Sequence, residues 1–201
     1  NNTDGIFYGT KGDERAVFMN QKLKQASYYE DEKMQAVVLD TVKGGEMILC
    51  LPKPGTSPEG ALESFDAKKL EKIGRADERS VQLSLPKFKL ESESFSVKEA
   101  LEALGVPLTD EKAGHLTGLM EGEALYLSEA VQKAMVEVDE DGLTAAAVTV
   151  MGIERMALLP ETAPVEMVFN RPFAFVLTGD AGTAGQQVLF AGVVNELGTA
   201  D

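Results

Sequence analysis

At residues 136–150 the chain has the sequence VEVDEDGLTAAAVTV, and this stretch carries the strongest structural signal. Its first residues alternate between apolar and acidic, which is typical of a strand with one buried face. After Gly142 come small and β-branched residues, with no proline before Leu159 and no charge before Glu154. Such a segment favours a strand and is an aggregation hazard if it stays exposed. The sequence therefore predicts a segment that can be either loop or strand.

Length and charge narrow the class of protein. The 201 residues are 44% hydrophobic, enough to bury a core of one or two domains. The net charge of -14 argues against nucleic acid as a partner. No apolar run reaches about 18 residues, so we expect no membrane span. The first residues, NNTDG, lack the basic start and apolar region of an export signal.

The chain has one cysteine and one histidine. Cys50 lies in the apolar run MILCL, which favours a buried structural thiol over a reactive one. His115 alone cannot supply a metal cluster, and a hydrolytic triad would have to be built on it without support. We therefore predict no metal site, no cofactor and no enzymatic activity.

Most of the first hundred residues have strand patterns. Residues 16–19 and 26–29 predict two short strands, and the acidic turn 30–32 separates them from a third at 34–39. The continuous apolar run at 47–51 suits a strand covered on both faces. Further along, alternation predicts a strand in which Val81, Leu83 and Leu85 share one face.

Two helices are predicted. The first begins at Ser57, with proline and an acidic residue in its first turn, and ends at Gly74. The second begins at Ser96 as N-cap, with Glu99 as capping-box partner, and ends at Gly105. The last part of the chain predicts a hairpin of residues 173–177 and 188–194, joined by a glycine-rich turn.

Several short motifs follow one another in order along the chain. They are LPKFKLE (85–91), LEALG (101–105), LSE (127–129), KA (133–134), VEVDEDG (136–142), AAA (145–147), FNRPF (169–173) and LFAG (189–192). Each is weak by itself. In this order and spacing they resemble the serpins, and the resemblance covers nearly the whole chain.

The resemblance is to the C-terminal half of that fold. It implies an α+β architecture with strands of the central, B and C sheets, a few short helices and an exposed reactive-centre loop at about residues 140–164. Residues 1–201 would then be the C-terminal portion of a single serpin domain whose N-terminal helical half is missing and would be a partner. The alternative is an independent α+β domain, in which we expect the apolar runs near both ends to lack sheet partners.

The resemblance further implies suicide inhibition of serine proteases, and of cysteine proteases as a second class of target. A protease attacks the loop, and the cleaved loop inserts into the central sheet. Insertion would bury alternate residues, all uncharged here: Leu143, Ala145, Ala147, Thr149, Met151 and Ile153. The hinge comprises Glu140, Gly142, Leu143, Thr144, Ala145, Ala146 and Ala147. The family usually has Gly-Thr-Glu-Ala-Ala there, so Leu143 and Thr144 are departures.

The bait bond follows from its usual distance to Glu140. That distance gives Met156–Ala157, which suits a chymotrypsin-like or elastase-like protease, and we favour it narrowly. Arg155–Met156 is one step away and suits a trypsin-like protease, since the residue before the bond fills the specificity pocket. Counting back from FNRPF gives a position nearer Glu161.

Three further positions match the family. Lys87 and Glu140 match an ion pair that holds the hinge until cleavage. Gln132, beside Lys133, stands where the family usually has a histidine in a buried hydrogen-bond cluster. The resemblance implies an extracellular protein, and we expect the 201-residue chain by itself not to inhibit. The alternative function is a non-inhibitory serpin-fold binding or carrier protein, or a non-functional serpin fragment.

Overall fold

A computed structural model describes residues 1–41, 45–106, 130–139, 163–180 and 186–198. The chain forms two compact units, one of residues 1–89 with 137–201 and one of residues 90–136. Within the described ranges, no helix combines the length and the hydropathy that crossing a membrane requires. Strands dominate, as the α+β prediction with few short helices requires.

The elements are as follows. The helices are α1 (Pro58–Leu62), α2 (Ala67–Gly74) and α3 (Lys98–Ala103). The strands are β1 (Asn2–Tyr8), β2 (Asp13–Glu30), β3 (Met34–Asp40), β4 (Glu46–Pro52), β5 (Glu78–Pro86), β6 (Phe88–Glu91), β7 (Phe95–Ser96), β8 (Val131–Gln132), β9 (Met135–Val138), β10 (Val165–Val168), β11 (Phe173–Asp180) and β12 (Gln186–Val194).

The larger unit contains an eight-stranded sheet in the order β10-β5-β2-β3-β4-β11-β12, with β1 paired to β2. The pairing of β10 with β5 is parallel, whereas the other pairings within this sheet are antiparallel. Two small sheets join β6 with β9 and β7 with β8. The sheet is therefore mixed, and its one parallel pair involves the strand after the predicted loop.

Strand β2 corrects the prediction of two short strands. It runs unbroken from Asp13 to Glu30, because the polar residues 20–25 include neither glycine nor proline to interrupt it. Its first part pairs with β1, its middle with β5 and its end with β3. The pairing with β5 shifts register between Leu23 and Ala26 and continues to Ser27, after which β3 becomes the partner from Tyr28.

Strand β4 confirms the predicted fully covered strand. Residues 47–52 are all buried, with β3 on one side and β11 on the other. Cys50 is fully buried, and this burial raises the pKa of its thiol far above the ordinary value. The thiol is therefore structural, as its apolar neighbours predicted.

The predicted helix over residues 57–74 is two helices. Ser57 is the N-cap of α1, and its Oγ accepts from the Gly60 N–H at 3.0 Å. After Leu62 a second cap begins α2, because the Asp66 carboxylate accepts from the Lys69 N–H at 2.7 Å. The apolar spacing alone could not show this break, because both helices bury residues against the same side of the sheet, Ala61 from α1 and Ile73 from α2.

Helix α2 is tied to the turn between β2 and β3 by a half-shielded ion pair. Lys69 Nζ lies 2.8 Å from Asp31 Oδ2 and donates to Ser64 Oγ at 2.8 Å. The other carboxylate oxygen of Asp31 accepts from the backbone N–H groups of Lys33 and Met34. Burial by itself would raise the pKa of Asp31, but the Lys69 and backbone hydrogen bonds outweigh it and lower this pKa to about 2.

We expect Asp31→Asn to lower the free energy of unfolding by about 1–2 kcal/mol at neutral pH. Because the pKa of Asp31 is lower in the folded state than in the unfolded state, near 3.9, the ionised carboxylate stabilises the fold at pH values above 3.9. This stabilisation is lost as the pH falls through the folded-state pKa of about 2. Urea unfolding of wild type and variant should therefore differ most at neutral pH and converge only as the pH falls through about 2.

The control is Glu71→Gln, which removes the exposed pair with Arg75 at 2.8 Å. Because both side chains are more than half exposed, it should change stability by less than about 0.5 kcal/mol. A difference between wild type and Asp31→Asn that is independent of pH would contradict the assigned ion pair.

The smaller unit contains α3, β7 and β8. The N-cap of α3 is Val97, not Ser96, and it makes no side-chain capping hydrogen bond. The Ser96 prediction is wrong because Ser96 belongs to β7, opposite Val131, although its Oγ still accepts from the Lys98 N–H at 3.3 Å. Gly105 follows the helix at φ +75°, which confirms the predicted end.

The predicted C-terminal hairpin is confirmed. Strands β11 and β12 pair antiparallel, with Phe173 opposite Val194, and the predicted turn lies largely outside the described residues. The apolar runs near both ends do find strand neighbours within the chain, β2 for β1 and β11 for β12. The expectation that an independent domain would leave them without sheet partners is therefore wrong.

Candidate functional site

The candidate site is the segment of residues 140–162, between β9 and β10. It lies outside the described residues, and so does His115. The same is true of the predicted bait residues Arg155, Met156 and Ala157 and of the hinge residues Glu140, Gly142, Leu143, Thr144, Ala145, Ala146 and Ala147. What the structure describes is how the chain is held on either side of this segment.

Downstream of the segment, β10 is fixed along the sheet edge. Val165 lies opposite Val81 and Val168 opposite Ser84 in the parallel pairing with β5. The ladder continues one residue further, where the Phe169 N–H donates to the Ser84 carbonyl at 2.9 Å. Met167 is fully buried, whereas Glu166 and Val168 are exposed. This alternation is what a strand with one covered face requires.

An aromatic cluster fixes the chain just after β10. Four buried phenylalanines form it: Phe7, Phe88, Phe169 and Phe173. The Phe173 ring packs edge-on against the other three, with centroid distances of 5.1 Å to Phe169, 5.5 Å to Phe88 and 6.3 Å to Phe7. Such edge-to-face pairs add to the free energy of area burial.

Backbone bonds add to this anchor. The Asn170 carbonyl accepts from the Tyr8 N–H at 2.8 Å, and the Arg171 guanidinium donates to the Pro52 carbonyl at 3.1 Å. The motif FNRPF is thus structural, and the downstream end of the segment is held by several independent contacts.

Upstream of the segment, β9 is held on one edge. Among the described residues its one strand neighbour is β6. Val138 is 2% exposed and Glu137 lies on the exposed side, which confirms the predicted alternation. Met135 at the start of β9 is 56% exposed. The strand that leads into the segment therefore has an edge at which another strand could add.

The C-terminal residues occupy the other side of β6. The Lys89 N–H donates to the Leu197 carbonyl at 3.0 Å, and the Leu197 N–H donates to the Glu14 carboxylate at 3.2 Å. Leu197 is 3% exposed. Because β6 is covered there, β9 is the edge of this small sheet that has no further neighbour among the described residues.

Sequence reasoning did not predict the contacts that hold Glu196 and Leu197 against residues 10–14. The Glu196 carboxylate accepts from Thr10 Oγ1 at 2.7 Å and from the Lys11 N–H at 2.5 Å. Burial, and then the hydrogen bond with Glu196, raise the pKa of Glu14, while Thr10 leads the contacts that lower the pKa of Glu196. The partners are more than 180 residues apart in sequence, and no periodic pattern marks them.

Lys87 lies between β5 and β6. Its backbone N–H donates to the Val17 carbonyl at 2.9 Å, and its side chain is half-buried. Its predicted partner Glu140 lies outside the described residues. The ion pair of Lys87 with Glu140 therefore stays a prediction.

Gln132, predicted for a buried hydrogen-bond cluster, lies in the smaller unit. It occupies β8 opposite Phe95, and its side chain is exposed. Next to it, Lys133 Nζ lies 2.8 Å from Glu91 Oε1, with both side chains more than half exposed, so this ion pair contributes about 0–1 kcal/mol. A role for Gln132 and Lys133 stays a prediction.

Comparison with known proteins supplies the context for this geometry. A family model described as "Serpin (serine protease inhibitor)" matches residues 1–197. Iripin-5 of Ixodes ricinus is 37% identical over 152 residues, which cover 75% of this chain and 37% of the relative. Antichymotrypsin-2 of Bombyx mori is 32% identical over 199 residues, which cover 95% of this chain and 50% of the relative.

The fold has solved counterparts. The crystal structure of the thermophilic serpin tengpin in its native state superposes with a TM-score of 0.73 at 26% identity, covering 98% of this chain and 50% of that one. The chain thus spans about half the length, or less, of the proteins it matches.

Proposed function

The chain belongs to the serpin family, and on this premise we propose that the protein containing it inhibits a serine protease, with residues 140–162 as the reactive-centre loop. Because the chain spans about half of its relatives, the activity of the whole protein is part of the proposal. The membership makes a protease the expected partner and an inhibitor, not an enzyme, the expected class.

One observation supports this use of the loop above the others: its two ends are held differently. Downstream, β10 is paired with β5 and locked by the aromatic cluster. Upstream, β9 has β6 on one edge and, among the described residues, no strand on the other. After a cut, the upstream portion of the loop remains attached to β9 and can fold back along that edge as a new strand.

The residues of the loop suit such an insertion. Alternate positions from Leu143 to Ile153 carry no charge, so none brings an unpaired charge into the sheet. Each new ladder hydrogen bond contributes about 0.5–1.5 kcal/mol net, and apolar burial adds to it, for a total of about 10 kcal/mol. A gain of that size can hold a protease in an unproductive state, since release of stored strain through loop insertion is a known switch.

The bait bond is proposed at Met156–Ala157, with Arg155–Met156 as the neighbouring choice. The residue before the bond enters the specificity pocket of the protease. Methionine there suits a chymotrypsin-like or elastase-like enzyme, and arginine suits a trypsin-like one. Both are serine proteases, and a cysteine protease is a further candidate target.

The test is to incubate the natural protein that contains this sequence with chymotrypsin, elastase and trypsin. We expect a complex that survives SDS, because the acyl bond to the bait residue is trapped. Met156→Ala should abolish the complex with chymotrypsin, and Arg155→Ala should leave it intact. The reverse pattern with trypsin would move the bond to Arg155–Met156. Cleavage within residues 140–162 with no SDS-stable complex for any protease would contradict inhibition.

A non-inhibitory carrier is the second candidate, favoured by the departures at Leu143 and Thr144 and by the exposed Gln132. A carrier whose loop does not insert gains nothing from cleavage. Thermal melting of the same protein before and after nicking distinguishes the two: a large rise in Tm supports insertion, and an unchanged Tm supports the carrier.

We also propose that the protein acts outside the cell, where a secreted inhibitor would meet extracellular proteases. The proposal derives from family membership and not from a segment of this chain. Cells that make the natural protein should release it into the medium, and retention in the lysate would contradict this location.

A further inference from the structure

The first three residues carry a motif that the inhibitor function does not use. They are Asn1-Asn2-Thr3, an Asn-Xaa-Thr triplet whose middle residue is not proline. This is the acceptor sequence for N-linked oligosaccharide, in which the side-chain amide of the asparagine is modified. The structure describes all three residues, so their suitability as an acceptor can be judged from contacts.

The Asn1 side chain is exposed, and its amide makes no hydrogen bond to the described residues. Its backbone does: the carbonyl accepts from the Asn20 N–H at 2.9 Å and from Asn20 Nδ2 at 3.4 Å, and the backbone nitrogen donates to the Asn20 carbonyl at 3.4 Å. A sugar on the side-chain nitrogen would leave these bonds in place.

Thr3 is also exposed, and its hydroxyl oxygen accepts from Asn20 Nδ2 at 2.8 Å. Because alternate residues of a strand share a face, Asn1 and Thr3 lie on the same side of the chain at the start of β1. Asn2 and Asp4 are exposed as well, so the side chains around the acceptor triplet leave room for a bulky substituent. The acceptor sequence and the exposure of its side chains therefore both favour modification at Asn1.

We propose that Asn1 is an N-glycosylation site. In the transfer, Asn1 Nδ2 forms a bond to C1 of the terminal N-acetylglucosamine of a lipid-pyrophosphate-linked oligosaccharide. The bond from C1 to the pyrophosphate oxygen breaks, the lipid pyrophosphate leaves with its electron pair, and the amide loses one proton. No oxidant or metal from the protein is involved.

A glycan at Asn1 has a structural consequence. It lies at one end of β1, an edge strand whose Ile6 and Tyr8 are 46% and 50% exposed. Exposed apolar edge strands invite pairing with other chains, and a bulky hydrophilic group obstructs that approach. The glycan would therefore protect the β1 edge from association.

The test uses the natural protein containing this sequence, produced in eukaryotic cells that secrete proteins. Medium and lysate are collected separately and treated with a peptide amidase that releases N-glycans and converts the glycosylated asparagine to aspartate. We expect a mobility shift for the secreted protein and aspartate at Asn1 in peptide mass spectra. The shift attributable to this site should be lost completely in Asn1→Gln and in Thr3→Ala.

Two matched variants separate the glycan from the fold. Thr3→Ser keeps both the acceptor triplet and the hydroxyl that contacts Asn20, and Asn2→Gln changes only the middle residue, so both should retain the glycan. Secreted protein with unmodified Asn1 overturns the proposal while leaving the extracellular location standing. Unmodified protein found only in the lysate overturns both. The inference rests on the proposed extracellular location, whereas protease inhibition is not the readout, so either result is independent of the proposed inhibition.

Discussion

Replacing Leu143 by arginine should convert the inhibitor into a substrate. Leu143 is the first of the alternate positions that insertion would bury, so it would enter the sheet early. An unpaired guanidinium in the sheet costs several kcal/mol, a large part of the roughly 10 kcal/mol that insertion gains. We expect the yield of SDS-stable complex to fall about 100-fold or more, because the protease completes hydrolysis before the loop inserts. The measurement is the ratio of complex to cleaved inhibitor on denaturing gels.

Thr144→Arg is the matched control. It introduces the same charge one residue later, and because alternate residues of a strand point to opposite faces, its side chain would stay on the outer face of the inserted strand. We expect it to retain most of its inhibition. If both variants fail equally, the alternation is wrong. If neither fails, insertion does not include residue 143 and the carrier interpretation gains support.

Replacing Phe173 by alanine should lower the free energy of unfolding by about 3–5 kcal/mol. Phe173 is fully buried and its ring contacts Phe7, Phe88 and Phe169, so its loss leaves a cavity that three rigid rings cannot readily fill. Urea unfolding of the natural protein, followed by far-UV circular dichroism, measures the change.

Phe190→Ala controls for the substitution itself. Phe190 lies in the edge strand β12 and is 38% exposed, so its truncation should cost less than about 1.5 kcal/mol. Equal losses in the two variants would contradict the aromatic cluster as the principal anchor after β10.

Together these predictions assign different tasks to the two ends of the loop. The cluster around Phe173 is a fixed point, and β10 has no freedom to leave β5 without breaking its ladder. The proposed hinge at residues 140–147 follows β9, which among the described residues has a strand neighbour on one edge. Under the proposed mechanism, cleavage would separate the upstream part of the loop from the anchor after β10, which is the order of events that suicide inhibition needs.

Local patterns predicted much of the architecture. The apolar run around Cys50, the alternation from Val81 to Leu85 and the hairpin of β11 with β12 were all found where expected. These predictions succeeded because a strand buried on one face alternates apolar and polar residues, and a strand buried on both faces is a continuous apolar run. Both patterns can be seen in a short stretch of sequence. The predictions failed where local and tertiary signals differed: the polar middle of β2 is a strand because both β5 and the bulge accommodate it.

The sequence by itself determined the family and the uncharged alternate positions, since both depend on the order and spacing of residues. The place of the loop within the chain stays a prediction. The tertiary structure alone decided how the chain is held on the two sides of residues 140–162. It places Phe7 against Phe173 and Leu197 beside β6, and among the described residues it leaves one edge of β9 without a strand. These features join residues far apart in the chain. No local period encodes such pairings, because they are selected by the shape and hydrogen-bonding of surfaces that exist only after folding.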